Sequence, residues 1–244
     1  MRWLWRYAGT SKQFDTYALK QGDTTQKVDR GPVTEWLSSL EIPVEAVTRP
    51  LKDLPKCSDL KQGSLDDVSE YLFDHGVASG SIAKLLEDIG ELVRIAKWYK
   101  RSGMPSENET IAYLVVPLLR ALGWPPQRMA IEWHHVDVAL FAYLPRRDES
   151  LMAVLEAKKM DASCLTAMAQ ANGYAKNKSS CLRLIVTDGL RYGIYVRHEG
   201  DEFRLYAYMN LTNLRHDCPI YGCKGVKDAL LAMAPEWKSP DDRQ

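Results

Sequence analysis

The chain carries no surplus of charge of either sign: 32 Lys and Arg stand against 32 Asp and Glu over 244 residues. A formal net charge of zero excludes capture of nucleic acid or membrane by the field of the whole molecule, so any such partner needs a local patch. No stretch is apolar for the roughly 20 residues that a membrane-spanning helix requires. The opening run Met-Arg-Trp-Leu-Trp-Arg is broken by Arg6 and then turns polar, unlike a signal peptide. Cysteine is sparse, and Cys57, Cys164, Cys181, Cys218 and Cys223 are odd in number and scattered, which fits reduced thiols in a cytosol better than a secreted disulfide framework. A cytoplasmic protein without a membrane partner is expected. There is no Gly-x-x-x-x-Gly-Lys-Ser/Thr loop, so an ATP-driven motor is not among its own activities. His216-x-Cys218-x₄-Cys223 lacks a fourth soft ligand, and a structural zinc is not expected there.

What is present is an ordinary globular mixture, 45% hydrophobic and 26% charged, enough to build a sizeable core. Residues 1–63 are rich in Gly, Pro and mixed charge, and only 32–40 suggests a short helix there. Ser64 opens a helix through Val68, Tyr71 and Leu72, and Ser81 opens another through Ile82, Leu85, Ile89, Leu92 and Ile95 to Trp98. Gly103 and Pro105 end it. A third helix, 107–122, begins after Ser106 and closes at Gly123, before Pro125 and Pro126.

Strand patterns follow at 129–133, 136–143 and 151–158, then a helix at 163–175 and a strand at 182–187. Asp188-Gly189 and Gly200-Asp201 mark turns before strands at 192–197 and 203–209, which read as an antiparallel extension of the sheet. A last helix spans 226–232. The expected organisation is a partly helical region at 1–104, an α/β domain at 105–235 with a mixed sheet flanked by helices, and a polar tail at 236–244.

Asp137 lies inside the apolar run Val136-Asp137-Val138-Ala139-Leu140-Phe141, where an unpaired carboxylate is costly to bury. Glu156 and Lys158 are two apart in the next strand, so both side chains share one of its faces. If the two strands form a hairpin, Asp137 and Glu156 converge on one divalent cation with the Ala157 carbonyl, and Lys158 reaches the adjoining water. Oxygen-only ligation of this kind suits Mg²⁺, with Mn²⁺ as the alternative. Taken singly, each residue has an ordinary structural explanation: a buried salt bridge for Asp137, a solvated ion pair for Glu156 and Lys158. Between residues 151 and 200 seven Lys and Arg exceed four Asp and Glu, and Lys159, Lys176 and Lys178 are candidate phosphate contacts. His134-His135 precede the Asp137 strand as a turn-facing pair within reach of a phosphate. Trp3, Trp5, Trp124 and Trp133 are candidates either for base stacking or for the core.

Together these residues resemble a known group. Asp137, Glu156-Ala157-Lys158, Gln170-Ala171-Asn172-Gly173-Tyr174 and Thr187-Asp188-Gly189, after a helix bearing Glu109, look like the PD-(D/E)XK nuclease superfamily. Within it the similarity is to the N-terminal nuclease domain of type I restriction endonuclease R subunits, over roughly residues 105–197. The resemblance implies a restriction-endonuclease-like fold and a metal-dependent endonuclease that hydrolyses DNA phosphodiester bonds in host defence or DNA processing. It implies that Asp137 and Glu156 ligate the metal, that Lys158 is catalytic, and that Gln170 and Tyr174 support the site or touch the backbone. It also implies a helix acid, either Glu109 or Glu107. Because Ser106-x-x-Glu109 is equally a capping box, Glu109 is either a metal ligand or a helix cap. Separate motor or specificity subunits and a homo-oligomer are the protein partners it suggests, and RNA is the alternative substrate. A catalytically silent module that keeps the fold to bind nucleic acid or protein is the competing function.

Overall fold

The computed structural model describes residues 63–198, 202–218 and 221–238. The helix expected at 32–40, together with Trp3 and Trp5, lies outside them. Helix α1 (Leu65–Asp74) starts where the sequence supplies a capping box: Ser64 Oγ accepts the Asp67 N–H at 3.0 Å, and Asp67 Oδ2 accepts the Ser64 N–H at 2.8 Å. Helix α2 (Ser79–Ser102) buries Ile82, Leu85, Ile89, Leu92, Ala96 and Tyr99, alternate steps of three and four residues that keep one stripe inward. It stops at Gly103, whose φ of 134° few other residues adopt.

The third expected helix is not uniform. It comprises α3 (Glu107–Thr110), a π-helical turn (Ile111–Val115) and α4 (Val116–Ala121). Pro117 is the physical reason: its ring crowds the carbonyl four residues back, and the turn before it widens so that the Val116 N–H bonds Ile111 O instead.

The sheet has eight strands in the order β1-β2-β3-β4-β5-β6-β8-β7. They are β1 (Met129–Trp133), β2 (Val136–Phe141), β3 (Leu151–Ala157), β4 (Arg183–Thr187), β5 (Arg191–Arg197), β6 (Phe203–Asn210), β7 (Asp217–Cys218) and β8 (Cys223–Lys224). β3–β4 and β6–β8 run parallel and the other neighbours antiparallel, so the sheet is mixed. The parallel β3–β4 pair is connected through α5 (Met168–Ala175), the crossover helix the strand order requires. The two-residue strands β7 and β8 are too short to leave a periodic signal, and the sequence did not announce them.

Each face of the sheet is covered. Val138, Leu140, Leu155, Ile185 and Ile194 pack with α1, α2, the α3–α4 segment and α6 (Val226–Met233). Ala139, Val154, Leu184 and Val186 pack on the other face with Met168, Ala171 and Ala175 of α5. Residues 65–102 thus share one core with the strands that follow them. Trp237, expected in a polar tail, is also in that core, 8% exposed and beneath the Arg183 guanidinium. Trp124 is wholly buried, its Nε1 donating to Met233 O at 2.7 Å, and so belongs to the core rather than to a base-stacking surface. Among the described residues no helix is long and apolar enough to cross a membrane.

Candidate active site

The β2–β3 pairing sets the site. Val138 lies opposite Leu155 and Ala139 opposite Val154, so one further step brings Asp137 opposite Glu156 on the face covered by α5. The Asp137 carboxylate accepts the Ala157 N–H through Oδ2 at 2.7 Å. Ala157, whose carbonyl is expected to face an ion, also orients Asp137 through its N–H. Lys158 follows just past the end of β3, its own N–H bound to Thr187 O at 2.7 Å. Its Nζ donates to Gln170 Oε1 on α5 at 3.0 Å. The two acids, the lysine and the glutamine thus meet on one side of the sheet.

Glu156 is the unusual member. Its side chain is 0% exposed, and both carboxylate oxygens are buried without a hydrogen-bond partner. Burial, then the charge of Asp137 and the close approach of its carboxyl group, raise the Glu156 pKa to about 8, with Lys158 only partly opposing them. An anion in that position needs a compensating charge that the protein does not fully supply. A hard divalent cation held by Asp137 and Glu156 fits the orphaned oxygens.

The other expected residues are distributed as follows. Tyr174, one turn beyond Gln170, is half-buried and packs against the core under α5. Lys159 and Lys176 are exposed, as phosphate contacts must be. Lys178 is engaged elsewhere, its Nζ 2.5 Å from Asp148 Oδ2. Glu109 is not brought to the pair of acids. Its Oε2 accepts the Ser106 N–H at 2.8 Å while Ser106 Oγ accepts the Glu109 N–H at 3.2 Å, closing the capping box. Those bonds hold the Glu109 carboxyl below the usual range, and its segment packs on the opposite face of the sheet. Among the described residues no third His, Cys, Asp or Glu joins Asp137 and Glu156 in a metal-holding group. Cys218 and Cys223 pair across β7 and β8 as buried thiols, and His216 lies 3.6 Å from Asp67.

Two features were not foreseen. The first is a cleft of about 470 Å³ lined by Glu132, His134, His135, Val136 and Asp137. Because Trp133 pairs with Val136, Glu132 falls opposite Asp137, a relation that counting back from a two-residue turn at His134-His135 would have exposed. The second is a clamp on the segment after Lys158. Buried Asp188 accepts the Asp161 N–H at 3.1 Å and the Arg191 N–H at 2.7 Å and pairs with the Arg191 guanidinium. Arg191 Nη2 in turn donates to Ala162 O at 2.8 Å. The turn that carries Asp188 needs Gly189, with φ of 87°, because a Cβ there would come within 2.9 Å of Leu114 Cβ. Comparison with family models, with curated proteins and with solved structures gave no match.

Proposed function

We propose that the chain is a Mg²⁺-dependent endonuclease that hydrolyses phosphodiester bonds of DNA, with Mn²⁺ as the alternative ion. The observation that carries this reading is Glu156: a fully buried carboxylate with two unpartnered oxygens, set beside a second carboxylate, Asp137. Asp137 and Glu156 would hold the ion. When bound, it supplies the positive charge that acidifies water and offsets charge accumulating on the phosphate. Lys158, steadied by Gln170, orients the attacking water and donates a hydrogen bond to a phosphate oxygen. Asp137 is kept in position by the Ala157 N–H. Lys159 and Lys176 flank the site and contact the strand through its phosphates. The order of Asp137, Glu156, Lys158 and Gln170 along the chain, with all four on the α5 side of the sheet, supports the restriction-endonuclease-like fold and the likeness to type I R subunits. A role in host defence or DNA processing, beside separate motor or specificity subunits, follows from that likeness.

Incubation with supercoiled plasmid and Mg²⁺ is expected to give nicked and linear products, and Asp137→Ala and Lys158→Ala are expected to abolish them. No cleavage of plasmid in Mg²⁺ or Mn²⁺, or full cleavage by either variant, overturns the reading. A structured RNA in the same assay separates the two nucleic acids. The competing function, a silent nuclease-fold module, draws support from the count of two acids rather than three among the described residues. Calorimetric titration decides between them, because a silent module binds neither ion.

A further inference from the structure

The β1–β2 turn is built from the wrong residues for its geometry. Trp133 pairs with Val136, so His134 and His135 alone make the connection, and their φ values are 48° and 71°. Two central residues at positive φ are the signature of the type I′ turn, which selects Asn-Gly, Asp-Gly or Gly-Gly because a Cβ is strained there. Glu132, just before the turn, is also at positive φ, 55°. Three non-glycine residues in four therefore adopt a disfavoured backbone, and all three line the cleft that ends at Asp137. Both imidazoles are exposed. That of His134 is held edge-on against Trp133 with ring centroids 4.8 Å apart, and Trp133 is held edge-on against Phe141 at 5.1 Å. Local strain at the mouth of a cleft points to a ligand.

We infer that the His134-His135 turn is a substrate-contacting element whose ring N–H groups donate to phosphate oxygens of the nucleic-acid strand lying in the cleft. This inference rests on the nuclease reading for the identity of the ligand. A neutral imidazole already carries one N–H donor, so the contact does not depend on protonation. Phosphate is the chemistry that fits: the turn offers donors on a rigid hairpin tip, next to acids that take up a cation and thereby admit an anionic strand. The edge-on contacts of Trp133 with His134 and with Phe141 hold the His134 ring before the strand arrives, which limits the ordering that binding must impose.

The test is the double variant His134→Asn, His135→Gly, which installs the residues the turn prefers. Two measurements on the full chain are made: thermal melting, and anisotropy of a labelled duplex in Ca²⁺. The expected result is a melting temperature raised by roughly 2–4 °C together with duplex affinity weakened about tenfold or more. In Mg²⁺, KM for the duplex is expected to rise while kcat changes little. A lower melting temperature shows that the histidines serve the fold, and unchanged affinity shows that they do not touch the strand; either overturns the inference. Cleavage by the parent chain with unchanged affinity in the variant overturns this inference alone. Absence of cleavage by the parent chain overturns the catalytic reading, and the affinity of the variant still decides the turn.

Discussion

Replacing Glu156 by Gln is expected to stabilise the metal-free protein at pH 8 and to change it far less at pH 5. The folded chain raises the Glu156 pKa to about 8, from an ordinary carboxylate value near 4.5. Between those values the folded state binds the proton and the unfolded state does not, so the derivative of stability with pH is negative. The contribution is fully present below about pH 4.5 and is lost as pH rises through about 8. Tenfold in proton affinity is ~1.4 kcal/mol, so the loss across this window is on the order of 4 kcal/mol. Gln keeps the shape, carries no charge, and offers the Asp137 carboxylate an amide N–H. For a chain of this size ~4 kcal/mol corresponds to about 10 °C of melting temperature. Circular-dichroism melts of parent and variant in EDTA from pH 5 to 8 measure the difference, in which every other titration common to both cancels. Saturating Mg²⁺ is expected to restore the parent at pH 8 by about 2.7 kcal/mol at a hundred times Kd and to do little for the variant. Equal melting temperatures at both pH values, or a less stable variant at pH 8, would refute the reasoning that Glu156 is an uncompensated buried acid.

Glu109→Gln is expected to retain plasmid cleavage, since the Glu109 carboxylate closes a helix cap on the far face of the sheet; loss of cleavage with an unchanged far-ultraviolet spectrum would return it to the site. Lys158→Met is expected to leave the fold intact, as it removes one hydrogen bond to an exposed glutamine, while cleavage falls below detection; measurable turnover would mean that another group orients the water. Arg191→Met is expected to cost about 3–5 kcal/mol in urea melts, because it strands buried Asp188 without its partner and frees the segment at Ala162; a change below about 1 kcal/mol would mean that water reaches Asp188.

The pattern of hydrophobic residues was sufficient for the longer elements, and not for the two-residue strands β7 and β8. The stripe from Ile82 to Leu92, the alternation around Val138 and Leu140, and the Asp188-Gly189 turn are local statements, written in spacing and in residues with restricted backbones; the stripe's expected end at Trp98 is not observed, since Ala96 and Tyr99 turn inward and Trp98 is exposed. The α/β class and a sheet extended by antiparallel strands follow from them. That Glu156 and Lys158 reach the same side of the sheet was equally legible, because period two is a property of any extended chain, although the strand ends at Ala157 and Lys158 lies one residue beyond it. The π-helical turn at Ile111–Val115 traces to Pro117 and was in principle readable, though a proline after a full turn signals a break without saying how the backbone resolves it.

Three things only the tertiary structure decided. Whether Glu156 is a solvated ion pair or a buried orphan depends on α5 closing over β3, a contact between segments that no window of sequence spans. Whether Glu109 caps a helix or faces the acids depends on which side of the sheet its helix packs, and one sequence signature, Ser106-x-x-Glu109, serves either outcome. The inclusion of α1, α2 and Trp237 in a single core with the strands depends on burial of apolar faces against distant partners. Local sequence determines what each segment can form, because backbone sterics and side-chain periodicity act over a few residues. Burial and charge compensation are sums over neighbours brought together by folding, and for that reason the acidity of Glu156 and the isolation of Glu109 could be read only in three dimensions.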